Sequence, residues 1–174
     1  MADQISYIPL CADNTLLCSV FENLMYTYID EMNEHSHRPL PKEFQKKWID
    51  SIISMQGPQD RHLELCYLDG KAIGFLYGKV DHEDHKGYIR PNWGYIMEFY
   101  IKPEYRRKRL GSQMFNRLEN LFLQDGVTFM YLTADPVTGK PFWEAMGFVC
   151  TGEQSPENHL LIYEKTVSGH AEKN

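Results

Sequence analysis

Within residues 98–112 the chain gathers two carboxylates, five cations and a glycine on a pattern that reads strand, turn, helix. Glu98 is the only acid in the apolar run 95–101. Apolar surroundings push a carboxyl pKa upward, toward the range in which it can take a proton near neutral pH. Pro103 breaks the run. Arg106, Arg107, Lys108 and Arg109 follow, then Gly111 and Ser112 where a helical pattern begins. The first backbone N–H groups of a helix have no intrahelical partner and lie at the positive end of its dipole. A strand feeding such a terminus makes an anion site, and the added cations point to a phosphate-bearing ligand. Lys108 alone reads as a solvated charge.

The elements that must hold this stretch are legible as periodicities. Residues 5–10 read as a short edge strand. Leu17, Phe21, Leu24, Tyr28 and Met32 recur at helical spacing behind Asn14 or Thr15 as N-cap. A second helix after Pro39-Leu40-Pro41 carries Phe44, Trp48 and Ile52 on one face. Leu63, Leu65 and Tyr67 alternate as in a half-buried strand, Asp69-Gly70 signals a hairpin, and residues 72–80 return as the next strand. Residues 81–92 are polar and read as a solvated loop, so His82, Asp84 and His85, like His35 and His37, are not taken as metal ligands. Leu110, Met114, Leu118 and Leu121 form a helical stripe that stops at Gly126. Residues 127–133 read as a buried parallel strand, and Pro141 opens a short helix ending at Gly147. Residues 148–152 and 160–165 close the fold as a strand pair, and the tail from Ser168 is expected to be mobile. This order predicts one α/β (α+β) domain over residues 1–167. Its sheet is mixed and strongly twisted, of about six or seven strands, with helices on both faces.

A chain of 174 residues with 43% hydrophobic and 13% aromatic content can bury a sizeable core. No apolar run is long enough to span a bilayer, and no secretory signal opens the chain, so the expected location is cytoplasmic, without membrane association. The four cysteines are scattered and read as reduced thiols. A formal net charge of -6 argues against general nucleic-acid binding, which would otherwise give the basic run a steeply salt-dependent affinity.

Two segments carry a family resemblance. Arg106-x-x-Arg109-x-Gly111, preceded by Ile101-x-Pro103-Glu104-Tyr105, resembles the Gln/Arg-x-x-Gly-x-Gly/Ala phosphate signature of the GNAT superfamily of acyl-CoA-dependent N-acetyltransferases. Phe142-Trp143-Glu144-Ala145-Met146-Gly147-Phe148 is similar to that family's Phe-Tyr-x-x-x-Gly-Phe. The chain departs from the pattern twice. Arg109 replaces the first glycine and would be strained if the loop needs φ > 0 there. Trp143 stands at the usual tyrosine, and an indole N–H cannot supply a proton near neutral pH.

The resemblance implies a GNAT-like fold whose fourth and fifth strands splay apart to admit a pantetheine arm. It also implies acetyl-CoA as acyl donor, with no metal. Cofactor contacts would come from backbone groups of Phe99 and Ile101 and from the loop at Arg106, Arg107, Arg109, Gly111 and Ser112. The Arg106 and Arg107 side chains would pair with the pyrophosphate or the 3′-phosphate. Glu98 would be the general base and an N–H of Phe99 or Ile101 would polarise the thioester carbonyl. With Trp143 at the usual tyrosine, either water or another tyrosine, Tyr131 or Tyr100, would be the general acid, or the thiolate would leave unassisted. The implied reaction is acetyl transfer to a primary amine of a small molecule or peptide by direct attack. The alternative is a non-catalytic acyl-CoA-binding sensor. Glu31, Glu34 and the acidic balance suit a cationic acceptor, and the last strands could pair two copies as a homodimer.

Overall fold

Alternation of large apolar residues on residues 61–68 and 71–80 builds the hairpin at the heart of the sheet. The computed structural model describes residues 4–169. In it β2 (Arg61–Leu68) and β3 (Lys71–Val80) are antiparallel and joined by Asp69-Gly70, both at positive φ (49° and 76°), the geometry that two-residue hairpins require. β1 (Ser6–Pro9) pairs with β2, and β4 (Gly94–Ile101) with β3. Beyond β4 lie β5 (Phe129–Ala134), β7 (Leu161–Thr166) and β6 (Val149–Gln154), giving seven strands in the order β1-β2-β3-β4-β5-β7-β6.

Successive residues of a strand face opposite sides, and both sides of this sheet are covered. α1 (Thr15–Glu34) and α2 (Lys42–Ser54) pack Phe21, Met25, Ile29 and Ile49 against Phe75, Tyr77 and Tyr100. α3 (Leu110–Gln124) and α4 (Lys140–Ala145) pack Met114, Phe115, Leu118 and Trp143 against Leu76, Ile96 and Met130. Asn14 caps α1, its side chain accepting from the Leu17 N–H at 3.1 Å. Among the described residues no helix is long and apolar enough to cross a membrane.

The sheet's single parallel pair is where it opens. β4 and β5 pair only at Gly94–Met130 and Tyr95–Tyr131, although β4 runs on to Ile101 and β5 to Ala134. The register of β4 on β3 also jumps, Tyr77 facing Glu98 and Gly78 facing Ile96, so Met97 is an extra residue bulged out of β4. Such a bulge sharpens local twist and re-aims side chains. Past it, the Lys102 N–H donates to the Ile73 carbonyl at 2.8 Å, toward β3. Amides alternate along a strand, so those of Phe99 and Ile101 face the gap.

Two expectations need correction. The 81–92 segment is not simply solvated. Asp81 is fully buried, ion-paired with Lys79 at 3.2 Å and accepting from the Arg90 N–H at 2.9 Å and from the Tyr131 hydroxyl. A buried carboxylate requires such partners, and they fasten this loop to β5. Ser168 is tied down as well, its N–H donating to Glu119 at 3.2 Å; residues 170–174 of the expected tail lie outside the described residues.

Candidate active site

The gap between β4 and β5 opens into a cleft of about 650 Å³. α1 walls one side through Tyr28, Glu31, Met32 and His35, and the β5–α4 turn walls the other through Asp135 and Thr138. Phe99, Tyr100 and Ile101 line its floor. Arg107, Arg109, Gly111 and Ser112 stand at its mouth, with Phe142 and Trp143 alongside.

That mouth is a helix terminus with no side-chain cap. Arg109 occupies the N-cap position of α3 and makes no capping hydrogen bond, so the N–H groups of Leu110, Gly111 and Ser112 lack any acceptor one turn back in the helix. Arg109 sits in the left-handed region (φ 62°, ψ 10°), and Arg107 does too (φ 59°). The loop therefore keeps the glycine conformation without the glycine. A left-handed L-residue costs roughly 1–2 kcal/mol. Arg109→Gly is expected to hold or raise stability, by up to about 1 kcal/mol, while weakening coenzyme A by removing one cation from the mouth. A melting temperature more than about 2 °C below wild type would contradict this. Gly111 serves a different purpose. A Cβ there would lie 3.2 Å from the Phe142 ring, which stacks on Phe99 with centroids 5.6 Å apart. The two sequence motifs thus meet at this point.

Arg106 does not point at the mouth as a free cation. Its guanidinium is bidentate on Glu31 (2.6 and 2.7 Å), and its Nε–H donates to the Ile101 carbonyl at 2.9 Å. It ties the loop to α1.

Glu98 sits just past the Met97 bulge, half-buried on the α1 face. Burial raises its pKa to about 7, against the pull of a 2.6 Å hydrogen bond donated by the Tyr28 hydroxyl. Tyr28 lines the cleft and Glu98 lies behind it, so the hydroxyl connects cleft to carboxylate. Asp135, across the gap, is held below the usual carboxylate range. Burial alone would raise it, but the Thr138 hydroxyl, the Val137 and Thr138 N–H groups and the charge of His35 prevail.

Tyr131 is corrected as general acid. Its ring is fully buried, its hydroxyl is donated to Asp81, and it is not among the residues lining the cleft. Burial and the Asp81 carboxylate also drive its pKa far up. Trp143 is a packing residue, in edge contact with Phe99, Phe115, Phe142 and Phe148. Tyr100 does line the cleft, with its pKa pushed up to about 12 by burial and by Glu31. Sequence reasoning missed Tyr28, whose place in an apolar helical stripe gave no sign of its bond to Glu98. It also missed Asp135, hidden in a turn-rich segment.

A sheet split at its one parallel pair, with arginines and free helix N–H groups at the mouth of the split, defines an α/β protein with a cleft suited to a long phosphate-bearing ligand. The chain belongs to the acetyltransferase (GNAT) family, whose sequence profile matches residues 24–148. Among solved structures it is similar to the PaiA N-acetyltransferase of Thermoplasma acidophilum in complex with coenzyme A (TM-score 0.64, 18% identity, covering 94% of this chain and 99% of that one). It is similar also to an acetyltransferase of Thermus thermophilus (TM-score 0.64, 20% identity, 95% and 98%). A GNAT-family acetyltransferase of Staphylococcus aureus shares the fold as well (TM-score 0.72, 11% identity, 95% and 100%). No curated protein matches the chain.

Proposed function

We propose that this protein transfers the acetyl group of acetyl-CoA to a primary amine of a small molecule or peptide, by direct attack. The observation that carries the reading is Glu98: a carboxylate with a pKa near 7, beside an open strand edge whose Phe99 and Ile101 amides face the gap. Coenzyme A bound in a family member's structure supports placing the donor in the corresponding cleft here.

In this reading the N–H groups at the start of α3, with Arg107 and Arg109, hold the diphosphate, and β4 pairs with the pantetheine arm as a strand-like partner. The Phe99 or Ile101 N–H stabilises negative charge as it grows on the thioester oxygen. Glu98 takes the proton from the acceptor ammonium, through the Tyr28 hydroxyl or a water, and leaves the nitrogen lone pair free to attack. The C–N bond forms, the C–S bond breaks with its electrons departing on sulfur, and the second proton of the acylated nitrogen passes to water or to the departing thiolate. A thiol pKa of about 8.5 makes that thiolate a tolerable leaving group without a side-chain acid.

Turnover of acetyl-CoA with a panel of primary amines tests the reading. Saturable binding of coenzyme A with no turnover on any amine would leave the sensor alternative standing instead. A sharper expectation concerns Tyr28→Phe. Its hydrogen bond holds the Glu98 pKa down, so its loss moves the acidic limb of the kcat/KM profile upward by about one pH unit. An unmoved limb would show that Glu98 does not govern it.

A further inference from the structure

The segment 81–92 crosses the junction where the sheet splits. β4 and β5 share only the Gly94–Met130 and Tyr95–Tyr131 pairs, and on one face α3 packs across them, touching Ile96 and Met130 alike. On the opposite face this segment makes the crossing. Asp81 accepts from the Tyr131 hydroxyl of β5, and Arg90 pairs with Glu164 of β7 at 2.8 Å and with Glu153 of β6 at 3.7 Å. The Tyr88 N–H donates to Glu157, between β6 and β7, at 3.0 Å. The Arg90 guanidinium also lies over the Tyr131 ring, 5.2 Å from its centroid. Residues 81–92 thus form a strap from the β3–β4 side of the split to the β5–β7–β6 side.

The strap is fastened to β3 through His85. Lys79 is only 7% exposed, and its ammonium lies 3.2 Å from Asp81 and 3.0 Å from the His85 Nδ1. The His82 N–H donates to the same Nδ1 at 3.2 Å. An ammonium and a backbone N–H only donate, so His85 is the neutral tautomer with its proton on Nε2. A proton added to Nδ1 would face both donors. Partial burial opposes it, as do Lys79 from β3, His82 on the strap and Arg61 from β2, and together they outweigh Asp84, so the pKa of His85 lies below its ordinary 6.5. The His82 ring stands 5.1 Å from that of His85 and is itself paired with Asp60 at 2.5 Å. A lowered folded-state pKa gives stability that is present above the ordinary value and lost as pH falls through the folded one. We infer that His85 is a pH-sensitive pin: once Nδ1 takes a proton from solvent, the ring leaves Lys79 and the His82 amide, the strap opens, and the two sides of the split lose their bridge on the α1 face.

Amide hydrogen exchange on the full chain tests this, read at about pH 7.5 and about pH 5 and corrected for the intrinsic effect of pH on exchange. The strap amides of His82, Arg90 and Asn92, bonded to His85 or Asp81, are expected to exchange about 5-fold faster or more at the lower pH, with α1 and α2 unchanged. His85→Asn sets an amide oxygen where Nδ1 stands, so it still accepts from Lys79 but cannot take the proton. Its strap is expected to exchange alike at both pH values. His82→Gln keeps the backbone N–H and removes a charge from beside His85, so acid opening should persist and begin at higher pH. A wild-type strap equally protected at both pH values, acid opening that survives His85→Asn, or opening lost in His82→Gln would each overturn the pin. Coenzyme A should follow the strap. Between the two pH values its affinity is expected to fall about 5-fold further in wild type than in His85→Asn, a comparison that cancels the titrations both proteins and the ligand share. An equal fall in the two would overturn the link to the cleft. This last arm alone rests on the proposed function: strap opening with no coenzyme A bound at either pH would overturn that function and leave the pin standing.

Discussion

Glu98→Gln is expected to lower kcat/KM for acetyl transfer by about 10²- to 10⁴-fold, the usual contribution of a positioned base. Wild-type kcat/KM should rise with pH through a limb near 7, where the Glu98 carboxyl ionises, and level off above it. The variant should lose that limb. Stability should move the opposite way. The folded-state pKa of Glu98 is raised, so between its ordinary value near 4.5 and about 7 the folded chain holds a proton that the unfolded chain releases. Stability therefore falls as pH rises through that window, and the whole penalty is present above pH 7. Glutamine carries no charge to desolvate, and its carbonyl can still accept from Tyr28. Its stabilisation should reach up to about 3 kcal/mol at pH 8 and vanish near pH 4. Denaturation of both proteins at the two pH values checks this. A variant that keeps its activity, or that is less stable than wild type at pH 8, would remove Glu98 from the role assigned to it.

The second large effect is expected at Gly74. It faces Ile101 across the β3–β4 pair, and a Cβ added there would lie 2.0 Å from the Tyr100 carbonyl oxygen and 3.0 Å from the Ile101 Cα. Both obstacles are main chain, so no rotamer change relieves the overlap and the strands must separate. Gly74→Ala should cost about 3 kcal/mol or more, or roughly 6–12 °C in melting temperature for a chain of this size. The displaced stretch is the one whose Phe99 and Ile101 amides face the gap, so coenzyme A binding should weaken even well below the melting transition. Gly74→Ala with near-normal melting and unchanged coenzyme A affinity would mean that β4 does not set the cleft's geometry.

Local signals carried most of the architecture into the sequence. The stripes of α1 and α3, the Asp69-Gly70 turn and the Pro141 helix start depend on neighbours within a few residues, and they fold as their spacing indicates. Glu98 and the basic run were visible for the same reason, as charges standing out from an apolar strand and a helix start. Partnerships over long separations were not visible. Arg106 advertised a cation, but its carboxylate lies 75 residues earlier on α1. Tyr131 was correctly set on a buried strand, yet nothing local showed that Asp81, 50 residues away in a polar segment, lies within reach of its hydroxyl. The left-handed backbone at Arg109 could be posed only as a condition, because φ follows from how the loop closes on α3.

A structure of the protein with bound coenzyme A bears most directly on the arrangement described. The expected complex has diphosphate oxygens about 2.7–3.2 Å from main-chain N–H groups between Arg107 and Ser112, with the sulfur lying in the β4–β5 gap beside Glu98. Coenzyme A seated elsewhere, or no binding at millimolar concentration, would contradict it.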